Sequence, residues 1–295
     1  MKILNFGSLN IDLVYDVPHI VKPGETISST SFSRFPGGKG LNQSAGLAKA
    51  GAEVYHAGNI GADGQFLKDL LADCGADVSR VNVPDMPTGN AVIQVDENGQ
   101  NSIFLFAGAN CANTEETIEK ALCGFEAGDL LLLQNEVNGN AEIMEKAYAR
   151  GMKIVLNPSP MDEKILALPL EKVWCFVMNE IEGAALSGET EPEKIIAAMR
   201  KKYPESVFVL TLGENGSIYA DQEKSFFQGI YPCDVVDTTA AGDTFTGYLL
   251  AGLMDGKSPE ESMKRAAMAS SIAVSRKGAA VSIPEKEEVD LALKP

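Results

Sequence analysis

Residues 237–245 read DTTAAGDTF and lead into an apolar helical run predicted over residues 241–253. The first backbone N–H groups of a helix have no partner inside the helix, and the helix dipole makes this end positive. Small side chains let a phosphate approach these N–H groups closely. Asp243 falls in the first turn, where a carboxylate can accept the proton of a hydroxyl that attacks phosphorus. On spacing alone, Asp243 could equally serve only to complement the helix dipole.

A second glycine-rich stretch, FPGGKGLNQ, occupies residues 35–43 and also precedes a helical run. Its glycines would allow the backbone to approach a ligand closely, and Lys39 and Asn42 could bond to that ligand. It is not a dinucleotide fingerprint, because Gln43 stands where the last glycine of G-x-G-x-x-G is required. The GKS at residues 256–258 lacks the upstream glycine of a phosphate loop and is interpreted as a turn before a helix. Both differences argue against Rossmann dehydrogenases and phosphate-loop NTPases.

The rest of the chain alternates between strand-like and helical runs. Strands are predicted at residues 2–6, 53–59, 130–134, 153–156, 173–178 and 207–211. Helices are predicted at residues 40–50, 65–74 and 141–149, and the chain closes on two helices at 241–253 and 259–275. This alternation predicts an α/β fold with a largely parallel sheet, in which ligands bind beyond the carboxyl ends of the strands.

Several polar residues follow the predicted strands. They are Asn10, Asp12, Glu136, Asn179 and Glu182. Each alone is interpreted as a cap or turn residue. Their common position at strand ends makes one shared site plausible.

Two segments interrupt the alternation. Residues 12–36 contain no helical pattern, and residues 89–108 contain two alternating runs around the turn DENG at residues 96–99. The second segment is typical of a β-hairpin. We expect a small sheet added to the α/β core, which could close over the site as a lid. Apolar residues on both faces of the hairpin would leave one face exposed in a monomer.

Composition excludes several classes of protein. The chain has 295 residues, 41 acidic against 25 basic side chains and a net charge of −16. An acidic surface repels nucleic acid and anionic lipid, so neither is expected as a partner, although a small anion could bind a locally positive pocket. No apolar run reaches the ~18 residues of a membrane span.

The five cysteines are scattered and form no paired motif. We therefore expect reduced thiols, mostly in the core, in a cytoplasmic protein. His19 and His56 stand alone in the sequence and are expected to be structural.

With these motifs together, the chain resembles the ribokinase (phosphofructokinase-B type) family of sugar kinases. Both family signatures occur in order, GGKGLNQ at residues 37–43 and DTTAAGDTF at residues 237–245. The stretches NPSP at residues 157–160, N-x-x-E at residues 179–182 and TLGENG at residues 211–216 also match. The resemblance covers nearly the whole chain. It implies a three-layer α/β/α domain over residues 1–295, with a mostly parallel central sheet and a small β-sheet lid formed by insertions at about 12–36 and 89–108.

The resemblance also implies an activity, transfer of the γ-phosphoryl group of ATP to a primary hydroxyl of a sugar, and it assigns residues to it. Asp243 would be the general base, and the backbone N–H groups of Ala240, Ala241 and Gly242 would form an anion hole. The sugar would be bound by Asn10, Asp12, Gly38, Lys39, Asn42, Glu136 and Asp243. The nucleotide and its Mg²⁺ would lie at Asn179, Glu182, Thr211, Gly213 and Gly216, with Glu182 reaching Mg²⁺ through water. A monovalent cation, K⁺, would lie at Asp237, Thr239 and carbonyl groups near Ala273 and Gly278.

The resemblance favours D-ribose as the acceptor, because the GGKGLNQ motif occurs with the full set Asn10, Asp12, Lys39, Asn42 and Glu136. Family members that act on sugar phosphates need added cationic residues for a second phosphate, and none is evident here. Asn90 and Gln94, which lie around the predicted hairpin, are more polar than is expected of residues that flank a bare pentose, and this leaves deoxyribose, another sugar or a nucleoside open. A non-catalytic sugar- or nucleotide-binding regulator on the same fold is a further alternative, although a pure binder need not keep Asp243. By the same resemblance we expect a homodimer formed through the lid.

Overall fold

The computed structural model describes residues 1–294, and most of its strands belong to one large sheet. The strands are β1 (Ile3–Phe6), β2 (Asn10–Asp16), β3 (Ser31–Gly37), β4 (Val54–Asn59), β5 (Asp77–Asn82), β6 (Gly89–Val95), β7 (Asn101–Phe106), β8 (Leu130–Leu133), β9 (Lys153–Leu156), β10 (Val173–Asn179), β11 (Val207–Thr211), β12 (Ser217–Ala220) and β13 (Ser225–Gln228). Within the described residues, the large sheet has nine strands in the order β13-β12-β11-β10-β9-β8-β1-β4-β5. Its pairings are parallel except at one edge, where β12 pairs antiparallel with β11 and β13.

Helices cover both faces of this sheet. They are α1 (Lys39–Lys49), α2 (Gln65–Asp73), α3 (Glu115–Leu122), α4 (Asn140–Ala149), α5 (Glu180–Ser187), α6 (Pro192–Lys202), α7 (Ala241–Met254), α8 (Pro259–Val274) and α9 (Lys286–Ala292). Short 3₁₀ turns lie at Ala62–Gly64, Gly108–Cys111, Glu163–Ala167, Leu170–Lys172 and Gly213–Asn215. None of the helices in residues 1–294 has the length and apolar character that crossing a bilayer requires.

Strand β8 shows why the molecule has three layers. All four of its leucines are buried, as the continuous apolar run predicts. Successive side chains of a strand point to opposite faces. Leu130 and Leu132 accordingly pack in the core on the side of α1, α2, α7 and α8, whereas Leu131 and Leu133 pack in the core on the side of α3 to α6. The predicted α/β/α sandwich with a mostly parallel sheet is confirmed.

The small sheet has four strands in the order β3-β2-β6-β7. Strand β2 pairs antiparallel with β3 and parallel with β6, and β6 and β7 form the predicted hairpin. At the base of this lid sheet, Asn10 lies opposite Gly37 on one side and Gly89 on the other. Asn10 and Asp12 therefore belong to the lid sheet and not to the large sheet.

Two sequence expectations are wrong. The chain does not close on the helix predicted at residues 259–275, because the short helix α9 follows; seven residues are too few for the apolar period to identify a helix. The cysteines do not lie mostly in the core: Cys175 is buried, Cys74 is half-buried, and Cys111, Cys123 and Cys233 are exposed. These three lie in turns and loops, where the backbone leaves the core and a small side chain has little to pack against.

The order of the strands brings the candidate residues together. Strands β11, β10, β9, β8 and β1 are consecutive neighbours and parallel, so their carboxyl ends line one edge of the sheet. The residues that follow or end these strands are Thr211, Asn179, Asn157, Gln134 and Ser8. The first turns of α1 and α7 reach the same edge, where Gln43 of α1 donates both to Asn157 after β9 and to Asp243 of α7.

Candidate active site

Asp243 lies in the first turn of α7 and is buried, with 9% of its surface exposed. The helix is preceded by Ala240, whose φ of 61° is left-handed and is the only such value at a non-glycine residue in the described part of the chain. This turn directs backbone N–H groups outward. The N–H groups of Gly242 and Asp243 have no acceptor among the described residues, whereas that of Ala241 donates to the carbonyl of Thr238 at 3.2 Å. Of the three predicted anion-hole donors, the N–H groups of Ala240 and Gly242 are therefore available and that of Ala241 is already engaged; the N–H of Asp243, which was not predicted, is available as well.

Two side-chain amides of α1 hold the Asp243 carboxylate. Asn42 Nδ2 donates to Oδ2 at 3.1 Å, and Gln43 Nε2 donates to Oδ1 at 2.8 Å. A carboxylate has about four lone-pair positions, so each oxygen keeps room for another hydrogen bond. Oδ1 of Asn42 is buried and has no partner among the described residues, so it remains available to a ligand donor.

Lys39, the first residue of α1, places a positive charge in a group of carboxylates. Burial lowers its pKa, but the negative charges of Asp243, Glu136 and Glu182 outweigh that effect, and the net shift is upward. The ammonium group therefore stays charged at neutral pH. It lines a cavity of about 220 Å³ together with Asp243 and Glu182.

Glu136 lies at the amino-terminal end of α1. One of its oxygens, Oε2, accepts from the backbone N–H of Lys39 at 3.0 Å and from the hydroxyl of Ser8. Burial raises the pKa of Glu136, while the hydrogen bond from Ser8 and the charge of Lys39 act in the opposite direction. The geometry suits a carboxylate at the positive end of a helix dipole.

Glycines make room for this arrangement. A β-carbon on Gly40 would lie 2.3 Å from the backbone nitrogen of Ser8, and Gly38 has a φ of 97° at the start of α1. A β-carbon on Gly37 would lie 2.2 Å from Oδ2 of Asp12. The first glycine-rich motif therefore lets α1 and β3 approach the polar side chains of the site.

Asp12 contributes a carboxylate from the lid sheet. Burial, and then the nearby charge of Glu136, raises its pKa from 3.8 to about 6. Two carboxylates on the same ligand-free site disfavour each other's ionised form. Hydroxyl groups of a ligand would relieve this by donating to both.

A larger cavity of about 520 Å³ lies between the lid and the large sheet. Its polar lining includes Asn10, Asn110, Glu136, Asn138 and Lys164, and its apolar lining includes Leu105 and Phe106 of β7. Neither of the two polar lid residues singled out in the sequence lines it. Gln94 accepts from the backbone of Val21 at 3.0 Å, and Asn90 donates to the carbonyl of Thr88 at 3.4 Å.

Asn179 and Glu182 form a reciprocal cap at the start of α5. Asn179 Oδ1 accepts from the backbone N–H of Glu182 at 2.9 Å, and Glu182 Oε2 accepts from that of Asn179 at 2.9 Å. Glu182 Oε1 accepts from Nδ2 of Asn179 at 2.9 Å, so both carboxylate oxygens are engaged. This satisfies the orphan donors of the helix end. Both residues also line the smaller cavity, so the cap and a ligand could share them.

The nucleotide candidates lie after β11. Thr211 ends the strand and lines the smaller cavity. Gly213 and Gly216 bound the next turn, with φ values of 57° and 100°. Neither glycine lines the two cavities described above. Their role in binding a nucleotide stays a prediction.

The residues predicted to hold a monovalent cation are partly assembled. Asp237 Oδ1 accepts from the backbone N–H and hydroxyl of Thr239 at 2.9 and 2.6 Å, and Oδ2 accepts from the N–H of Gly278 at 3.0 Å. These bonds hold the carboxylate between two loops and lower its pKa, against the effect of burial. The Ala273 carbonyl accepts from Arg276 at 3.1 Å. The described residues hold no cluster of three or more acidic, cysteine or histidine ligands for a metal ion.

Four polar residues of the site were missed among the candidates. Gln43 and Asn157 stand inside motifs that the sequence analysis quoted, but nothing there distinguishes them from helix or turn residues. Ser8 follows β1, so its position after a strand of the sheet could have identified it as a candidate. Asn110 lies in a 3₁₀ turn after the lid hairpin and carries no local signal.

The chain is similar over its whole length to known kinases. The pattern of the pfkB family of carbohydrate kinases matches residues 1–286. Ribokinase of Haemophilus influenzae is 35% identical over 295 residues, covering 96% of this chain and 95% of that protein. The structure of Arabidopsis thaliana ribokinase complexed with ribose and ATP matches with a TM-score of 0.88 at 33% identity, covering 100% of this chain and 99% of the other. Deoxyribokinase of Salmonella typhi is 29% identical over 298 residues, covering 98% and 97% of the two chains.

Proposed function

Because this chain belongs to the pfkB family of carbohydrate kinases, we propose that it transfers the γ-phosphoryl group of ATP to the primary hydroxyl of D-ribose, forming ribose 5-phosphate. The observation that carries the proposal is the Asp243 carboxylate, which two amides hold at the first turn of α7 beside a polar cavity. The polar groups of Asn10, Asp12 and Glu136 suit a polyol, because each hydroxyl both donates and accepts.

The reaction follows from these positions. The sugar hydroxyl oxygen forms a bond to the γ-phosphorus and its proton passes to Asp243, while the bond to the β-phosphate oxygen breaks and ADP keeps the electron pair. The N–H groups of Ala240, Gly242 and Asp243 stabilise charge on the phosphoryl oxygens. Lys39 adds a positive charge beside them. Thr211, Gly213 and Gly216 would line the nucleotide-binding site.

Mg²⁺ and K⁺ are part of the proposal. Mg²⁺ bound to the phosphates would supply charge neutralisation. Glu182, whose two oxygens already accept from Asn179, would act through water, which suits an ion that keeps several waters. For K⁺, the Asp237 carboxylate and the Thr239 hydroxyl retain free lone pairs on oxygen, and the carbonyls near Ala273 and Gly278 would add to them.

We also propose that the four-stranded sheet acts as a lid on a single catalytic domain and as the contact of a homodimer. Its exposed residues include Phe32, Phe35, Ile103, Phe104, Leu105 and Phe106. These residues lie on β3 and β7, the two edge strands of the small sheet, and exposed apolar surface of this kind is typical of protein interfaces. A lid that excludes water would also suppress ATP hydrolysis. Free thiols and ATP as substrate support a cytoplasmic location.

Other acceptors on the same fold are the main competitors. The cavity of about 520 Å³ leaves space beyond a pentose, and Salmonella deoxyribokinase is a relative. A non-catalytic binding protein is disfavoured because Asp243 and the free N–H groups beside it serve no evident purpose in a pure binder.

The test is release of ADP with Mg-ATP and K⁺ against ribose, deoxyribose, fructose, tagatose phosphate and nucleosides. We expect ribose-dependent turnover well above the others, lost by orders of magnitude in Asp243→Asn while ribose still binds. Preference for another acceptor would move the specificity and keep the mechanism. Near-normal turnover of Asp243→Asn would remove Asp243 as the base, and no turnover on any acceptor would favour the binding protein. Exchange of K⁺ for Na⁺ should lower the rate, and an equal rate would remove the K⁺ assignment.

A further inference from the structure

A buried chain of side-chain amides leads from the core of the large sheet to Asp243. Gln134 Nε2 donates to Asn5 Oδ1 at 2.9 Å and to Gln43 Oε1 at 2.7 Å, and Gln43 Nε2 then donates to Asp243. Asn5, Gln43 and Gln134 are each at most 1% exposed. Burial of an amide is costly unless it is hydrogen-bonded, and in these three side chains only Oε1 of Gln134 has no partner among the described residues.

The orientation of the three amides is determined by Asn5, which lies at the end of the hydrogen-bonded series farthest from Asp243. Asn5 Nδ2 donates to the carbonyl of Gly40 at 2.8 Å and to the hydroxyl of Ser44 at 2.8 Å. A carbonyl can only accept, so the NH₂ group of Asn5 must face Gly40 and its oxygen must face Gln134. Gln134 must then present its NH₂ group to both Asn5 and Gln43.

The same reasoning fixes Gln43. Its Oε1 accepts from Gln134, so its NH₂ group must face Asp243. A second backbone carbonyl enforces this from another strand: Asn157 Nδ2 donates to Val177 O at 2.8 Å, and Asn157 Oδ1 accepts from Gln43 Nε2 at 3.1 Å. Rotation of the Gln43 amide by half a turn would set its oxygen against two acceptors.

We propose that Gln43 is a positioning residue for Asp243, and that Gln134 and Asn157 fix the direction of its amide so that the carboxylate meets the acceptor hydroxyl in one orientation. This rests on the proposed function, in which Asp243 is the base. A general base must lie within hydrogen-bond reach of the proton it removes, and small misplacements cost rate. Asn42 also donates to the carboxylate, but its side-chain oxygen has no partner in the described part of the chain and is available to a ligand. Both ends of the Gln43 amide are already hydrogen-bonded within the protein.

The test compares kcat with sugar binding in Gln43→Met, which keeps the length of the side chain and removes both donors. We expect kcat to fall about 100-fold, with the ribose KM and the ribose dissociation constant without nucleotide within about threefold. Asn59→Leu is the matched control, because Asn59 is a buried amide of β4 that bonds to Asn113 and Asn82 and not to Asp243. It should lower the melting temperature similarly and leave kcat within about twofold.

A second variant keeps the proposal testable if Gln43→Met does not fold. Gln134→Met leaves Gln43 in place and removes one of the two side chains that orient its amide, while Asn157 remains. We therefore expect a smaller effect, with kcat falling by about three- to tenfold and KM unchanged. A kcat within the range of the Asn59→Leu control in Gln43→Met, or in Gln134→Met where the first variant is insoluble, overturns the proposal. So does a parallel loss of kcat, sugar binding and melting temperature in both the Gln43 and Asn59 variants.

Failure of the kinase assignment gives a different result. Wild-type protein that is inactive with every acceptor, or an Asp243→Asn variant that keeps its turnover, would contradict the proposed function. The positioning of Asp243 by Gln43 would then be tested by structure and not by kinetics. A crystal structure of Gln43→Met then decides: a rotated Asp243 carboxylate supports the positioning role, and an unmoved one overturns it.

Discussion

Asn110 donates its side-chain amide to Oδ1 of Asn10 at 2.7 Å and thereby fixes which end of the Asn10 amide faces the cavity beneath the lid. Asn110 is held in turn because its own Oδ1 accepts from the backbone N–H of Leu9 at 3.0 Å. The NH₂ group of Asn10 is therefore left for the ligand. A β-carbon on Gly89 would lie 2.2 Å from Nδ2 of Asn110, so the start of β6 must be glycine for the pair to form.

Replacement of Asn110 by aspartate should weaken sugar binding. Asn110→Asp sets an acceptor against Oδ1 of Asn10, so the Asn10 amide turns and presents its oxygen to the sugar. We expect the ribose KM to rise about tenfold or more with kcat nearly unchanged, since a mispaired buried group costs about 1–3 kcal/mol. Steady-state kinetics checks this. Asn135→Asp adds the same charge to the same cavity away from Asn10, and an equal rise in that control would contradict the role of Asn110.

Removal of the Lys39 ammonium should also act on the sugar. Lys39→Ala deletes the positive charge that lies among Asp243, Glu136 and Glu182, and we expect a ribose KM raised about tenfold or more. Because the pKa of Lys39 is raised, its charge should add no step to the pH profile of the wild type between about pH 6 and 9. Lys194→Ala is the control, since this exposed lysine of α6 lines neither of the two cavities. An unchanged ribose KM in Lys39→Ala would refute the assignment.

The ionised carboxylate of Asp12 should lower the free energy of unfolding of the protein without ligand. Its pKa rises from 3.8 to about 6 on folding, so the folded state binds the proton more tightly and stability falls as pH rises through that range. With allowance for partial exposure, Asp12→Asn should raise the free energy of unfolding by about 1–2 kcal/mol near pH 8 and by nothing near pH 3.5. Sugar binding should be lost.

Urea unfolding at the two pH values measures this effect of Asp12. Asp16→Asn, on the exposed end of the same strand, should show no such gain. Equal stabilisation by both substitutions, or a gain that persists at low pH, would contradict it.

His56 should make the protein sensitive to acid. Burial lowers its pKa from 6.5 to about 4, so the unfolded chain takes up a proton that the folded chain resists. The titration of His56 therefore has no effect on the free energy of unfolding above pH 6.5. As the pH falls from 6.5 toward 4, it lowers the free energy of unfolding by at most about 3 kcal/mol. His56→Gln should flatten the stability profile in this window. The exposed His19→Gln serves as control, and identical slopes in both variants would contradict the prediction.

The exposed face of the lid should govern association. Phe104 of β7 is 58% exposed and does not line the cavity beneath the lid, and Phe104→Glu should shift a dimer to monomers in sedimentation velocity. Phe227 of β13 is 60% exposed on the far edge of the large sheet, so Phe227→Glu should leave the oligomeric state unchanged. A wild-type monomer, or a dimer that survives Phe104→Glu, would rule out the lid as the contact.

The sequence predicts the fold well because its signals are local. The buried leucines of β8, the glycines before α1 and the small residues before α7 each act within a few positions. The same locality explains what was missed. Asn110 contacts Asn10 across 100 positions, and Gln43 contacts Asp243 across 200. Nothing near either residue in the chain reveals such a contact, because only the closed fold creates it.

The candidate site divides in the same way. The strand-end rule finds Asn179 and Glu182, but it cannot tell that their first partners are each other. It finds Asp12, but not the burial that raises the pKa of this carboxylate. Residue types can be predicted from pattern, whereas protonation and orientation depend on neighbours from other elements.

The lid sheet and the large sheet divide the candidate site between them. Asn10 and Asp12, which would bind the acceptor sugar, lie on β2 of the small sheet. Asp243 and the two amides that hold its carboxylate lie on α7 and α1, which pack against the large sheet. The two hairpins of the small sheet come from separate segments of chain and pair with each other. Substitutions in these hairpins could therefore change the preferred acceptor and leave the transfer chemistry intact. The acceptor preference of this architecture can therefore diverge through changes in the hairpins, while α1 and α7 keep the residues that hold the Asp243 carboxylate.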